Sequence, residues 1–266
     1  MMKLRLILLV LGLTARCTLF AQEAYPLNSD RPGQTFASST TQKGAFLIQA
    51  GLDWNYVSDF QDSYQTPIYL RFGAGDRLEL NAGITPIFNN VLSPFPTFEL
   101  GLRYHILRSD QWNITGQFRY YGADGFVLGT LSSYWGQGNI SYGWMNGASL
   151  NSTVAFVYAT SEIGSSLISN GADLYMTLNY GFSIGSKWSG FVEYAAFPTS
   201  FNSDNDQVAY QLGVYEGFDL GVAWLVQPDL QLDLFTNFPF QIGSSNGSAV
   251  ISEAFLSIGA SWRVTK

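Results

Sequence analysis

From Gly44 to the C-terminus the chain repeats one unit: a run of about ten residues in which every second one is apolar, closed by turn-forming residues. Side chains that alternate with period two lie on opposite faces of a strand. In 44–56, Phe46, Ile48, Leu52, Trp54 and Tyr56 share one face, and Gln49, Gly51, Asp53 and Asn55 the other. In 97–107, Phe98, Leu100, Leu102, Tyr104 and Ile106 oppose Glu99, Gly101, Arg103 and His105. Twelve segments follow this rule: 44–56, 66–73, 77–85, 97–107, 111–121, 132–144, 149–159, 173–184, 187–197, 217–226, 229–237 and 254–264. An even count suits a closed antiparallel barrel.

A soluble β-sandwich could use the same alternation, but its outer faces would then have to be polar. Composition argues against that. Aromatics make up 16% of the chain and charged residues only 12%, against roughly a quarter charged in soluble domains. Between Asp124 and Glu162 there is no charge, yet the stretch is too rich in Gly, Ser and Asn for a transmembrane helix. A closed barrel is the one helix-free structure that satisfies its backbone in lipid. The expected fold is therefore all-β: a transmembrane antiparallel up-and-down β-barrel over 44–266.

Tight turns at 73–77, 107–111, 146–148, 185–187 and 227–229 alternate with longer connections. Short turns belong to the periplasmic side, which puts both termini there. Tryptophan favours membrane interfaces. With this topology Trp112, Trp144, Trp188, Trp224 and Trp262 fall at periplasmic strand ends on the apolar face, and Trp54, Tyr56, Phe118, Tyr120, Phe156 and Tyr158 at the outer ends.

The N-terminus carries Lys3 and Arg5, an apolar run from Leu6 to Leu13, and Leu19-Phe20-Ala21, the layout of a secretion signal cut after Ala21. The run is well short of the roughly 20 residues a membrane helix needs, and Arg16 before Cys17 does not suit a lipidation site. Removing Lys3, Arg5 and Arg16 from the 13 basic residues leaves ten against 20 acidic ones. The mature chain is then acidic and cysteine-free, which excludes a disulfide framework and disfavours nucleic acid. Residues 22–43, rich in Ser and Thr, have no strand pattern. Two placements are open to them: a plug inside the lumen, or a periplasmic segment.

Three stretches carry a family resemblance: Asp30-Arg31-Pro32-Gly33-Gln34-Thr35, Lys43-Gly44, and Gly75-Asp76-Arg77-Leu78-Glu79-Leu80. With Phe191-Val192-Glu193-Tyr194 and Pro228-Asp229-Leu230-Gln231-Leu232-Asp233 they resemble the MetA-pathway of phenol-degradation family of outer-membrane proteins, often called transporters. The resemblance implies a transporter-type barrel related to uptake proteins for hydrocarbons or other small molecules. It brings no catalytic residue.

Strand parity turns Arg71, Glu79, Glu99, Arg103, His105, Arg119, Trp135, Asp173, Glu193, Asp219, Asp233 and Arg263 towards the lumen. If strands two and three fold about Gly75, Arg71 faces Glu79; if four and five fold about Ser109, Glu99 faces Arg119. Such pairs neutralise charge in a narrow interior, with solute selection as the sharper reading. Tyr69, Tyr121, Tyr175, Phe191 and Phe235 share the lumen parity, either filling the interior or lining a path for an apolar or aromatic solute.

His105 is the sole histidine. A barrel hydrolase would need a serine beside a histidine facing lipid, so no catalytic residue is assigned. One His without mature Cys makes no transition-metal cluster, and no metal or cofactor is expected. The outer connections hold Asp59, Asp62, Asp124, Glu162, Asp204, Asp206, Glu216 and Glu253 without Lys or Arg. They read as solvated loops, with cation steering or calcium at Asp204-Asn205-Asp206 as the functional alternative.

Two functions follow: a passive outer-membrane channel or transporter for small, hydrophobic or aromatic solutes, or a structural, surface-interaction barrel with a blocked lumen. The expected partners are outer-membrane lipid and lipopolysaccharide, a small-molecule solute, and the barrel-assembly machinery reading the last strand, Glu253 to Lys266.

Overall fold

The computed structural model describes residues 27, 29–30, 33, 35–56, 63–89, 96–125, 129–163, 166–200, 217–239 and 254–265. Every regular element among them is a strand: β1 (Phe46–Tyr56), β2 (Ser63–Gln65), β3 (Ile68–Gly73), β4 (Leu78–Asn89), β5 (Pro96–Arg108), β6 (Trp112–Gly125) and β7 (Gly129–Gly143), then β8 (Ser149–Ile163), β9 (Ser166–Ser183), β10 (Trp188–Ser200), β11 (Gly217–Gln227), β12 (Leu230–Pro239) and β13 (Ala254–Val264).

All strand pairings are antiparallel, from β4 onward each strand pairs with the next in sequence, β2 and β3 each pair with both β1 and β4, and β13 returns to β1 from Phe46↔Val264 to Tyr56↔Ala254. This closes the sheet and leaves no edge in lipid. β2 and β3 are one wall position interrupted at Thr66-Pro67: β1 pairs with β3 over Phe46–Ala50 and with β2 over Asp53–Asn55. Pro67 has no N–H for the ladder but still accepts from the Gly51 amide at 2.9 Å. Thirteen strands thus make a twelve-position barrel.

The alternation sorts side chains as the period requires. Phe46, Ile48, Leu52, Trp54 and Tyr56 are exposed on the outside, while Leu47, Gln49, Asp53 and Asn55 are buried within. Leu100, Phe118, Phe156, Leu178 and Ile258 continue the outer apolar surface. Such a continuous exposed apolar face suits lipid.

The tight turns gather on one rim, where an aromatic band runs along the wall. Trp112 lies 4.8 Å from Tyr142, Tyr142 5.0 Å from Trp144, and Trp144 6.4 Å from Tyr180 between ring centroids. Trp188 stacks on Trp224 at 5.4 Å. Trp262 is exposed on the same rim, and Trp54 at the opposite end of β1. Tyr142 and Tyr180 join this band without having been singled out in the sequence.

The opposite rim departs from expectation. Residues 122–131 and 160–172, read above as loops, are largely strand: β6 and β7 stay paired to Gly125↔Gly129, and β8 and β9 to Ile163↔Ser166. Asp124 and Glu162 therefore lie on strands. Above the lipid both faces of a ladder meet water, so these Gly-, Ser- and Thr-rich ends need no apolar alternation. Asp59, Asp62, Asp204, Asp206, Glu216 and Glu253 lie outside the described residues, as does the signal region 1–21.

Candidate functional site: the charged lumen and its N-terminal segment

The inward side chains of β3 to β6 form a charged wall. Arg71 donates to Glu79 in a two-pronged contact, Nε to Oε1 at 2.9 Å and Nη2 to Oε2 at 2.8 Å. Arg119 does the same to Glu99, with both bonds at 2.6 Å. Both pairs form, but not as facing partners. Arg71 stands opposite Asn81, and Glu79 opposite Gly73; Glu99 stands opposite Tyr121, and Arg119 opposite Gly101. The register is shifted by two residues from folding about Gly75 and Ser109. The pairs survive because diagonal neighbours remain within reach of a long arginine side chain.

The described residues of 29–43 run inside the barrel against this wall. Asp30 takes two bonds from Arg103 Nη2, at 2.8 and 2.9 Å, and Arg71 Nη1 lies 3.4 Å away. The Ser39 carbonyl accepts from Arg71 at 3.2 Å and Arg103 at 3.3 Å, and the Thr41 amide donates to Glu79 at 2.6 Å. Arg103 also donates to Gln117 at 3.0 Å.

Across the interior, the Thr35 amide donates to Glu193 at 2.9 Å and its hydroxyl to Thr177 at 2.7 Å; the Phe36 amide donates to Thr153 at 3.1 Å. The Phe36 ring lies 4.0 Å from the Arg119 guanidinium, whose other neighbour is the Tyr121 ring at 4.7 Å. Ser29 meets Ser261 and Gln49, each at 2.7 Å.

Two glycines make room for this path. Gly33 has φ +97, and a Cβ there would press on Phe191. A Cβ on Gly73 would overlap the Gln42 carbonyl, where Gly44 donates to the Gly73 carbonyl at 2.8 Å as the segment enters β1.

Burial alone would raise the Asp30 pKa, but the guanidiniums of Arg103 and Arg71 outweigh it and hold the carboxyl below its ordinary value of 3.8. Towards the outer rim Trp135 lies 5.6 Å from both Tyr121 and Tyr175 between ring centroids, with Ala155, Val157 and Ala195 packed around them. Phe191, Phe235 and Phe255 form a second apolar group.

No protein-family model matches the chain, and no curated protein matches it in sequence. Solved structures do match. One of the NanC porin superposes with a TM-score of 0.54 over 82% of this chain and 100% of the other, at 13% identity. The KdgM porin gives 0.52 over 81% of this chain and 98% of its own, at 8% identity. Its complex with disordered oligogalacturonate gives 0.51 over 82% and 98%, again at 8%.

The chain has the fold of the outer-membrane porins.

Within this porin fold Arg71, Glu79, Glu99, Arg103, His105, Arg119, Trp135, Glu193, Asp219 and Asp233 are all buried inside the wall. Asp219 accepts from Asn237 at 2.5 Å. The position of Asp173, opposite Val157, is described, but its side chain is not. Arg263 keeps the inner parity, opposite the buried Leu47, and at the rim it donates to Asp229 at 2.7 Å and to the Pro228 carbonyl, holding the β11–β12 turn. His105 is buried opposite Thr115 on the inner side, so it offers no base to a lipid-facing serine. The reading of single strands missed Asp30, Ser39 and Thr41. The available signal was an acid and a run of backbone donors in a strandless stretch just upstream of an arginine-bearing wall.

Proposed function

We propose that this chain is an outer-membrane channel or transporter for small solutes, with its lumen closed by its own N-terminal segment. The observation that carries this reading is the path of the described residues of 30–41, which bond to Arg71, Glu79 and Arg103 on β3 to β5 and to Thr153, Thr177 and Glu193 on the opposing β8 to β10. A segment spanning the interior from wall to wall bars passage while it stays. Its contacts are hydrogen bonds and ion pairs, which water can replace as it leaves. On this reading residues 1–21 are a cleaved signal, residues 22–43 a plug, and the barrel sits in the outer membrane among lipid and lipopolysaccharide after delivery by the assembly machinery.

The aromatic groups above the plug favour a solute with an apolar or aromatic part. That agrees with the resemblance to the MetA-pathway family, which we propose as the chain's relationship. No step of this function is chemical, and no cofactor is involved.

Planar-bilayer recording tests the proposal. The intact chain is expected to be nearly silent, and a chain lacking residues 27–41 to conduct in steps of constant size. A second reading is favoured by the packed interior, in which Trp135, Tyr175, Arg71 and Arg103 are each at most 1% exposed: a structural or surface-interaction barrel with a permanently blocked lumen. A folded deletion variant that stays silent selects that reading.

A further inference from the structure

Three arginines, Arg71, Arg103 and Arg119, are buried on the inner face of β3, β5 and β6, and among the described residues of these strands and β4 two carboxylates, Glu79 and Glu99, form ion pairs with them. The third, Asp30, arrives on the N-terminal segment. With Asp30 in place three guanidiniums face three carboxylates. Once the segment leaves, the same guanidiniums lose one of these partners, which is costly in a low-dielectric interior.

A second observation points the same way. The Nη1 atom of Arg119 and both polar side-chain atoms of Asn81 are buried without a hydrogen-bond partner. In the ladder Asn81 pairs with Arg71 on one side and with Gly101 on the other, and Gly101 pairs in turn with Arg119. This stretch of wall therefore carries buried polar groups beyond those that Asp30 uses.

We infer that Arg71, Arg103, Arg119 and Asn81 form a lumenal binding site for the carboxylate of a solute, and that Asp30 occupies it in the resting protein as an internal stand-in. The ligand class follows from what Asp30 presents. Both of its oxygens lie within hydrogen-bond reach of one Arg103 nitrogen while Arg71 approaches from beside it, charge-assisted contacts that a solute carboxylate can reproduce. The incoming carboxylate exchanges with Asp30 and supplies the same negative charge, so the guanidiniums keep three carboxylate partners as the segment moves out. This exchange couples solute binding to opening without any covalent step. It deepens the channel reading by naming a solute class, and rests on that reading for the route by which solute reaches the site.

The test uses the full folded chain with Asp30→Ala, which empties the carboxylate position, and acetate as the probe. Binding to the native state alone raises the thermal midpoint. Acetate is expected to raise the midpoint of Asp30→Ala saturably, with little effect on the unaltered chain. Adding Arg103→Gln is expected to weaken the apparent acetate affinity by about tenfold or more, through loss of charge-assisted contacts. An equal response to chloride or phosphate at matched ionic strength, or one indifferent to Arg103→Gln, overturns the site.

If Asp30→Ala does not fold, a chain carrying Cys17→Ser and Ser38→Cys serves instead. Acetate, and not chloride, should speed maleimide labelling at position 38 as the segment is displaced; equal rates overturn the proposal. Neither readout requires current through a bilayer, so a failed site and a failed channel are told apart.

Discussion

Asp30 is the titratable group that the N-terminal segment itself brings to the wall. Its carboxyl is held below 3.8 when docked and returns towards that value when released. A depressed pKa means docking is fully supported above pH 3.8, weakens below it, and loses the contribution as pH falls through the docked value. Conductance of the intact chain should therefore stay low from neutral pH down to about pH 4 and rise only in stronger acid, and Asp30→Asn should remove that rise by opening the channel at neutral pH. Arg71→Met would leave Glu79 and Asp30 short of a cation in the interior. Breaking such a buried pair costs about 3–5 kcal/mol, readable as a lowered urea midpoint in vesicles. The inward placement of Arg71, Glu79, Glu99 and Arg119 was legible from parity alone. Their exact partners were not, because register depends on turn geometry. At each hairpin the centre of symmetry lies one residue beyond the glycine or serine chosen from the sequence.

At the level of elements, the entry of the segment into β1 depends on Gly73, where a Cβ would overlap the Gln42 carbonyl. Gly73→Ala should push residues 41–44 off β3 while leaving the barrel ladder in place. Trypsin cleavage after Lys43 should then be several-fold faster than in the unaltered chain at the same protein concentration, with the heat-modifiable mobility of the barrel unchanged. Strand positions within lipid were readable because one face had to be apolar. The outer ends of β6 to β9 were not, since a ladder standing in water carries no such demand: the pairs Ser132↔Thr160 and Ser161↔Ser169 have nothing apolar to announce them. The break at Thr66-Pro67 hid β2 for a related reason, leaving a three-residue strand too short to show a period.

For the whole molecule, the apolar outer surface is the main contact with its surroundings. Leu100, near the middle of β5, is among its most exposed residues. Leu100→Arg should cost about 2–4 kcal/mol, the penalty for a charge at the bilayer midplane, measured by unfolding from phospholipid vesicles. A change of that kind on a soluble barrel would cost almost nothing. The closed twelve-position architecture followed from period and turn spacing. The path of the N-terminal segment did not, because its hydrogen bonds draw on Glu79, Thr153, Thr177 and Glu193 from four different strands, and no local pattern records a meeting of residues so far apart.

The join between β1 and β13 is the seam of the wall: it brings together the two ends of the barrel sequence, so the cylinder is closed only once they meet. The described residues of 29–43 precede β1, one of the two lips of that seam. If they have settled against Arg103 and Glu193 before the lips meet, the final stitch from Phe46↔Val264 to Tyr56↔Ala254 sews them in, like a cork set before the staves are hooped.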